Sequence, residues 1–462
     1  MSEGALHGDG FAHAKAAEVM PDSVRELAEM TRPVQILEVD MEGPLPALPR
    51  DTDYGSVYVL VRGRGSFRAD ATFPLTLDYE ADTEKLRRTV IRQTYSDESA
   101  AIQVEDHELP RISVVVPTLV QRVEELGDCL RALAGLDYPN FEVIVVDNRK
   151  VVPDADPLPR MMDDFPGMTS VREVRPGISA ARNTGVRTAT GEIVAFTDDD
   201  VQVDREWLRA IGARFRMEPV LDSVTGLVLP SELETPAQIW FERYYGGFSG
   251  ERSFQSLTLT PASTSHKILR GSRVVANDST GISIKNFSVY GVGAYAAGAN
   301  MAFRKTTLER NGGFDTALGT GTPSRGGEDL AAVISVLWNG GHVGYEPAAV
   351  VRHRHRQSYD ELLTLMDGEG VGFTAMLSSL LRNDPRHIFG LASQFFTALR
   401  QILGQRARKL RGMTYRDAAR DSTGPLFPSE LAKREFRAYL RGPLCYTRSR
   451  SMSKTTLDHN GI

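Results

Sequence analysis

Three consecutive carboxylates, Asp198, Asp199 and Asp200, are the strongest chemical signal in the sequence. They closely follow the apolar run IVAF. Because side chains alternate between the two faces of an extended chain, Asp198 and Asp200 are expected to point to one side and Asp199 to the other. Clustered carboxylates repel each other unless protons or a cation relieve the repulsion. Such hard oxygen ligands suit Mg²⁺ or Mn²⁺, so the trio predicts a divalent-cation site. A solvated acidic turn is the alternative interpretation.

Two further groups of residues could take part in chemistry. The pair Glu328 and Asp329 follows the glycine-rich segment LGTGTPSRGG and opens a predicted helix, where acids often only compensate the helix dipole. His353 and His355 alternate with arginines in VVRHRHR. Two positions apart on a predicted strand, they would face the same side. A pair of surface histidines is the alternative.

The elements that must position these residues begin near residue 111, where short apolar runs alternate with helical patterns. Continuous apolar strands between helices predict parallel strands that are buried on both faces. The carboxyl ends of such strands lie at one edge of the sheet, where ligands bind. Asp147, which ends the run EVIVVD, and the three aspartates should therefore meet at that edge. The Gly/Ser/Thr-rich stretch 246–288 predicts loop structure.

Shifts in composition divide the chain into four predicted regions. A disordered N-terminus at 1–32, with one short helix at 21–30, precedes a small β-rich domain. An α/β domain follows, and a helical, basic region ends the chain. The predicted bounds are 1–32, 33–106, 111–357 and 358–462.

The order and spacing of several motifs resemble family 2 glycosyltransferases of the GT-A fold over about 111–357. The motifs are the strand ISVVVPT, then EVIVVDN, SAARNTGVRTATGEIVAFTDDD, GANMAFRK, GGFD and GGEDL. The resemblance implies a Rossmann-like mixed sheet flanked by helices, as in nucleotide-diphospho-sugar transferases. The chain looks like a bacterial branch of the family that carries an extra small N-terminal β-rich domain. A helical C-terminal region completes the expected architecture.

The resemblance implies a metal-dependent, inverting glycosyltransferase. Such an enzyme moves a sugar from a nucleoside diphosphate sugar to an acceptor hydroxyl, with Mn²⁺ or Mg²⁺ as cofactor. A UDP-sugar is the favoured donor. The sequence does not name the acceptor, for which a lipid-linked molecule and a saccharide are the candidates.

The same resemblance assigns roles to matching positions. It implies Asp329 as the catalytic base, with Glu328 as second choice. Asp198 and Asp200 would bind the metal, with His353 preferred over His355 as a further ligand. The donor would be contacted by Pro117, Thr118, Asp147, Arg182, Asn183, Asp198 and Asp199. The sugar or acceptor side would be formed by Gly298, Asn300 and Asp315. For Arg182, a surface salt bridge is the alternative.

Two other functions compete with this interpretation. A sugar-phosphate nucleotidyltransferase would share the nucleotide-binding sheet and the acidic metal ligands. It would require a glycine-rich phosphate loop with a basic residue after the first strand, but the stretch PTLVQRVEELGD has one arginine and no glycine before Gly127. A catalytically degenerate GT-A scaffold or binding protein is the second alternative. The intact DDD, ED and HRH set argues against it.

The formal net charge of −6 hides an uneven distribution. From Arg382 onward there are 16 Lys and Arg against 6 Asp and Glu, which leaves the rest of the chain strongly acidic. Nucleic-acid binding is therefore not expected. Apolar residues at helical spacing followed by RARKLR predict a basic amphipathic helix at 386–411 that contacts a membrane surface. The alternative is a helix packed on the α/β domain.

Cysteine content and hydropathy bear on the compartment. Two cysteines, Cys129 and Cys445, exclude a disulfide framework and suit a reducing environment. No signal peptide and no apolar stretch of 18 residues is recognisable. A cytoplasmic protein is expected, at the inner face of the membrane if the basic helix binds there.

Overall fold

A large mixed sheet with helices on both sides forms the centre of the structure, which is a computed structural model. It describes residues 20–49, 53–63, 66–76, 78–94, 104–249, 252–264, 269–393 and 427–459. The sheet has 11 strands, and a separate sheet of three strands precedes it. The predicted α/β class, with a mixed sheet flanked by helices, is confirmed.

The N-terminal region contains a short helix and the three-stranded sheet. Its elements are α1 (Asp22–Met30), β1 (Val34–Asp40), β2 (Ser56–Gly63), β3 (Ser66–Pro74) and α2 (Tyr79–Thr94). Strand β2 pairs parallel with β1 and antiparallel with β3. Tyr58 and Phe67 of this sheet pack with Leu229 and Val350 of the large sheet in one apolar cluster. The two sheets therefore share a core, and the domain boundary between them stays a prediction.

The first half of the large sheet is parallel. It comprises β4 (Ile112–Thr118), α3 (Val123–Ala134), β5 (Phe141–Asp147), α4 (Leu158–Asp163), β6 (Met168–Arg172), α5 (Ile178–Thr188) and β7 (Ile193–Phe196). The strands lie in the order β6, β5, β4, β7. Every residue of β4 and β7 is buried, as expected for strands covered by helices on both faces.

The second half of the sheet mixes both directions. Its elements are β8 (Val201–Val203), α6 (Trp207–Met217), β9 (Leu221–Pro230), α7 (Pro236–Tyr245), β10 (Leu257–Pro261), β11 (Arg273–Asn277), β12 (Ser283–Ser288), β13 (Met301–Arg304), α8 (Lys305–Arg310), α9 (Glu328–Trp338) and β14 (His342–His353). Strand β13 runs antiparallel between β7 and β9, and β14 is parallel to β9.

The stretch 246–288, which was predicted to contain loop, also supplies the three strands β10, β11 and β12. These antiparallel strands form one end of the sheet. The outermost strand, β12, is largely exposed, and its two apolar residues, Ile284 and Phe287, lie three positions apart, so it shows no apolar alternation.

Three long helices follow the sheet, namely α10 (Tyr359–Asn383), α11 (Ser429–Tyr439) and α12 (Gly442–His459). Helix α10 begins with a capping box between Ser358 and Glu361. Asp367 of α10 is buried and forms ion pairs with Arg325, Arg434 and Arg441. This carboxylate joins α11 and the α11–α12 turn to the loop that precedes α9.

Parts of the predicted terminal regions lie outside the described residues. Of the predicted disordered segment 1–32, residues 20–32 are described and include α1. Of the predicted amphipathic helix 386–411, residues 387–393 are helical, with Ile388 and Phe389 exposed, and 394–411 are not described. Within the described ranges, no helix combines the length and apolarity needed to cross a membrane.

Candidate active site

The carboxyl ends of three neighbouring parallel strands form the edge that carries the site. Thr118 ends β4 and stands beside Asp147, which ends β5. The three aspartates follow β7, the other neighbour of β4. The structure thus brings together the strand ends that the alternation of strands and helices predicted.

Asp198, Asp200 and His353 form a cluster whose potential ligand atoms all lie within 4.8 Å of one another. His353 is the last residue of β14, which pairs with β8 directly after the aspartates. Its Nε2 lies 3.5 Å from Asp200 Oδ1, and its Nδ1 lies 2.9 Å from the carbonyl oxygen of Arg354. Because a carbonyl oxygen only accepts, Nδ1 is the donor in that bond and Nε2 is the ring atom directed at the carboxylates. Two carboxylates and an oriented imidazole fit Mn²⁺ or Mg²⁺.

Two arginines hold Asp200 in its ionised form. Arg122 Nη1 lies 2.6 Å and Arg356 Nη1 3.6 Å from Asp200 Oδ2. Burial opposes ionisation, but His353, Arg122 and Arg356 outweigh it, so the pKa of Asp200 lies below its ordinary value. The carboxylate is therefore available to a cation without first losing a proton. Arg122 was missed as a site residue, although it is the arginine that follows the first strand.

Asp199 turns away from this cluster, as the alternation of side chains predicted. Its Oδ2 accepts a hydrogen bond of 2.6 Å from Thr118 Oγ1. Burial, with the neighbouring charge of Asp200, raises the pKa of Asp199 to about 6. Thr118 also accepts a bond from the amide of Val120. Thr118 thus holds Asp199, and its neighbour Pro117 is buried.

Arg182 is the central contact of the site and is only 1% exposed. Its Nη2 lies 3.1 Å from Asp198 Oδ1, and its Nη1 lies 2.7 Å from Glu328 Oε1. Nη2 also donates to the carbonyl oxygen of Gly298. The alternative of a surface salt bridge is wrong, because Arg182 is buried, and the expectation that it faces the nucleotide stays a prediction. Its positive charge is balanced by two acidic residues from different parts of the chain.

The predicted acid pair lies on the other side of Arg182, at the start of α9. Burial, with the neighbouring charge of Asp329, raises the pKa of Glu328 to about 7. Its Oε2 is buried and has no hydrogen-bond partner among the described residues. Asp329 Oδ2 accepts a bond of 2.8 Å from the amide of Gly298, and Oδ1 accepts from its neighbour Leu330.

Gly298 was predicted on the sugar or acceptor side, and its position explains why it is a glycine. A Cβ atom at this residue would lie 2.9 Å from Arg182 Nη2 and 3.0 Å from Asp329 Oδ2. Those contacts would force the charged groups apart. Gly298 therefore supports the acid pair, because its backbone amide, with no side chain in the way, donates a hydrogen bond to Asp329.

Asp147 is not open to a nucleotide base in this structure. Arg149 Nε and Nη2 each lie 2.8 Å from one of the two carboxylate oxygens of Asp147, and Arg149 also pairs with Asp156. Burial raises the pKa of Asp147, but the bonds from Arg149 outweigh it and the net shift is downward. A bidentate pair of this kind is strong and fixed in geometry. Arg149 lies two residues after the strand, and no sequence pattern indicated the pair.

Asn183 and Asn300, whose predicted contacts with the donor and the acceptor side stay predictions, both bond to groups of the protein in this structure. The amide group of Asn183 bonds to both the backbone nitrogen and the oxygen of Phe314, which fixes the GGFD turn. Asn300 is fully buried and links Trp207 to the carbonyl oxygen of Ala349. Both side chains satisfy internal polar groups.

Asp315 and His355 are also placed away from the expected contacts. Asp315 Oδ2 accepts from Ser379 of α10 and Tyr446 of α12, so it anchors the C-terminal helices. His355 Nε2 lies 3.1 Å from Glu242 Oε2. Strand β14 ends at His353, so the alternation that would have placed both histidines on one side stops before His355.

Comparison with known proteins identifies the fold unit that holds these residues. Residues 113–269 match the family described as "Glycosyl transferase family 2". The match assigns this segment of the chain to the family. The matched segment contains Arg182 and the three aspartates, and it ends before the acid pair and His353.

Curated relatives align with part of this chain. A glucosyl-dolichyl phosphate glucuronosyltransferase of Haloferax volcanii is 28% identical over 141 residues, which cover 29% of this chain and 44% of the relative. A pre-mycofactocin glycosyltransferase of Mycobacterium tuberculosis is 29% identical over 255 residues, which cover 53% of this chain and 43% of the relative. The chain thus spans less than half the length of these relatives.

A solved structure with a similar outline is the mannosyltransferase PcManGT from Pyrobaculum calidifontis, which was determined in complex with GDP-Man and Mn²⁺. It is 18% identical, with a TM-score of 0.41, and the match covers 82% of this chain and 96% of the mannosyltransferase.

Replacement of Arg182 should show how strongly the site depends on this contact. In Arg182→Met, Asp198 and Glu328 lose their shared buried cation, and we expect the free energy of unfolding to fall by about 3–5 kcal/mol. Arg187→Met is the matched control on the same helix, since its side chain is 59% exposed, and it should change stability by less than about 0.5 kcal/mol. Urea denaturation measures both, and equal effects would contradict the central place of Arg182.

Proposed function

We propose that this chain is a metal-dependent, inverting glycosyltransferase that moves a sugar from a nucleoside diphosphate sugar to an acceptor hydroxyl. The observation that carries the proposal is the pair of contacts made by Arg182. One buried guanidinium touches both Asp198 of the candidate metal cluster and Glu328 of the acid pair. The candidate cation cluster and the acid pair are therefore joined through one side chain, an arrangement that suits glycosyl transfer from a diphosphate.

Asp198, Asp200 and His353 are the residues that would hold Mn²⁺ or Mg²⁺. The cation, when bound, would neutralise the negative charge that develops on the departing nucleoside diphosphate. Arg122 and Arg356 contact Asp200, and 38% and 36% of their side chains are exposed. These guanidinium groups would add further positive charge for the phosphate oxygens.

Asp329 is the better candidate for the catalytic base. It is partly exposed, and the amide of Gly298 orients its carboxylate. Glu328 is buried and bound to Arg182 through one oxygen, which suits a positioning role. The Asp329 carboxylate would take the proton from the acceptor hydroxyl as that oxygen attacks the anomeric carbon. The bond to the diphosphate breaks on the opposite face, so one displacement inverts the configuration.

A UDP-sugar is the proposed donor, from the resemblance of the motifs alone. A lipid-linked acceptor is supported by the relative whose name includes a dolichyl phosphate, and a saccharide is the other proposed acceptor. The exposed Ile388 and Phe389, which lead into the basic segment, support peripheral membrane contact through 386–411.

Replacement of Asp200 tests the proposed metal site. With a panel of nucleoside diphosphate sugars and Mn²⁺, we expect Asp200→Asn to lower release of the nucleoside diphosphate by on the order of 100-fold or more, because a charged ligand is lost. Asp199→Asn is a control within the same motif, since Asp199 faces Thr118, and it should keep its Mn²⁺ affinity. Equal turnover in the Asp200 variant and the unmodified enzyme would refute metal-dependent transfer at this site.

Replacement of Asp329 tests the proposed base. Asp329→Asn keeps the size and the bond from Gly298 but cannot accept a proton, so transfer should fall by about 10²–10⁴-fold. Binding of the donor, followed by calorimetry with Mn²⁺ present, should stay within a factor of about two or three. Undiminished transfer would exclude Asp329, and NMR of the product's anomeric proton would separately test inversion.

A further inference from the structure

A chain of buried polar contacts leads from the N-terminal sheet towards the candidate metal cluster. Tyr58 of β2 donates to Asp70 of β3 at 2.9 Å and accepts from Arg252 Nη1 at 3.1 Å. The same Nη1 atom lies 2.5 Å from Glu242 Oε1 of α7. The other oxygen of Glu242 contacts His355, so three contacts lead from Tyr58 of the small sheet to His355, two residues beyond the end of β14.

Aromatic packing continues the chain to the metal-side histidine. Phe248 lies between the two histidines, with its ring centre 4.3 Å from that of His353 and 5.5 Å from that of His355. Phe241 packs edge-on against both Phe248 and His355, at 4.8 and 4.9 Å. The orientation of the His353 ring is therefore set on one side by the Arg354 carbonyl and on the other by Phe248.

The charged residues in this series of contacts do not stabilise the fold in an obvious way. Arg252 is 8% and His355 2% exposed, and burying a guanidinium and a carboxylate carries a large desolvation cost. Arg252 Nη2 and His355 Nδ1 are buried without hydrogen-bond partners among the described residues. Apolar side chains could fill this space without leaving polar groups unpaired. We attribute the buried contact between Arg252 and Glu242 to a requirement for fixed geometry next to His353.

We propose that the N-terminal sheet positions His353 for metal binding, through Tyr58, Arg252, Glu242, His355 and Phe248. The inference rests on the proposed function, because it takes His353 as a metal ligand. It gives the small sheet a role in the site, although none of its residues reaches the metal cluster. Tyr58 and Glu242 are positioning residues in this scheme, since they act on the cation only through His355 and Phe248.

Mn²⁺ affinity of the full chain, measured by electron paramagnetic resonance of the free ion, tests this role without any substrate. Tyr58→Phe removes the hydroxyl that joins the sheet to Arg252 and should raise the Mn²⁺ Kd about threefold, the effect of losing one hydrogen bond. Glu242→Gln breaks the chain nearer the site and should raise it about tenfold. Phe248→Leu, which changes no charge, should act in the same direction.

Two controls separate positioning from general destabilisation. Tyr54→Phe removes another hydroxyl between the same parts of the molecule, the bond from Tyr54 to Glu234 on the exposed side. It should leave the Mn²⁺ Kd unchanged. Thermal unfolding of each apoprotein shows whether affinity changes without a matching loss of stability.

The outcomes distinguish this inference from the proposed function. If His353→Ala weakens Mn²⁺ binding while Tyr58→Phe, Glu242→Gln and Phe248→Leu bind as the unmodified chain does, the positioning role is refuted and the metal site stands. If His353→Ala itself leaves Mn²⁺ binding unchanged, the metal site fails, and the inference fails with it. Weaker binding in the positioning variants, with Tyr54→Phe unaffected, supports the role.

Discussion

One buried guanidinium holds the candidate active site together. Arg182 contacts Asp198, which follows β7. It also contacts Glu328, which opens α9 and lies 146 positions further along the sequence. An arginine in a water-poor interior requires negative partners, and each carboxylate requires the arginine. Neither segment can therefore move far without leaving a buried charge uncompensated. The proposed cation site and the proposed base are kept at a fixed separation by this mutual need.

The rest of the fold supports the two segments that Arg182 joins. The parallel strands β4, β5 and β7 bring their polar ends to one edge, and β14 adds His353 from the other half of the sheet. The acid pair depends on a different support. Gly327 packs so tightly against α10 that a Cβ there would lie 2.6 Å from the carbonyl oxygen of Gly372. Arg325, which has a φ of 63°, is tied to the same helix by Asp367.

The C-terminal helices thus also help to hold the residues around the site in place. Asp367 forms ion pairs with one arginine from the loop before α9 and with two from the region of α11. Asp315 accepts hydrogen bonds from α10 and α12. Together with the polar contacts that start at Tyr58, these contacts connect both terminal regions to the residues around the site. The site residues are few, and the residues that fix them are spread over the N- and C-terminal regions.

Sequence patterns predicted the parts of this structure that follow from local rules. The apolar runs gave the buried strands, and the two-residue alternation separated Asp198 and Asp200 from Asp199. The same patterns failed where a side chain's partner is remote in sequence. Asn300 bonds to Trp207, Asp315 to Tyr446 and His355 to Glu242, and no local spacing encodes those pairs. Arg149 and Arg122 were missed for the same reason, since each becomes informative only once its carboxylate partner is placed.

The most direct test of the central claim is a crystal structure grown with Mn²⁺ and a nucleoside diphosphate, with the ion located by its anomalous scattering. The account predicts one strong peak within coordination distance, roughly 2.0–2.6 Å, of oxygens of Asp198 and Asp200 and of His353 Nε2. Arg182 should remain bound to Asp198 and Glu328 in that structure. A peak away from these three residues, or an ordered nucleotide with no peak beside them, would contradict the account.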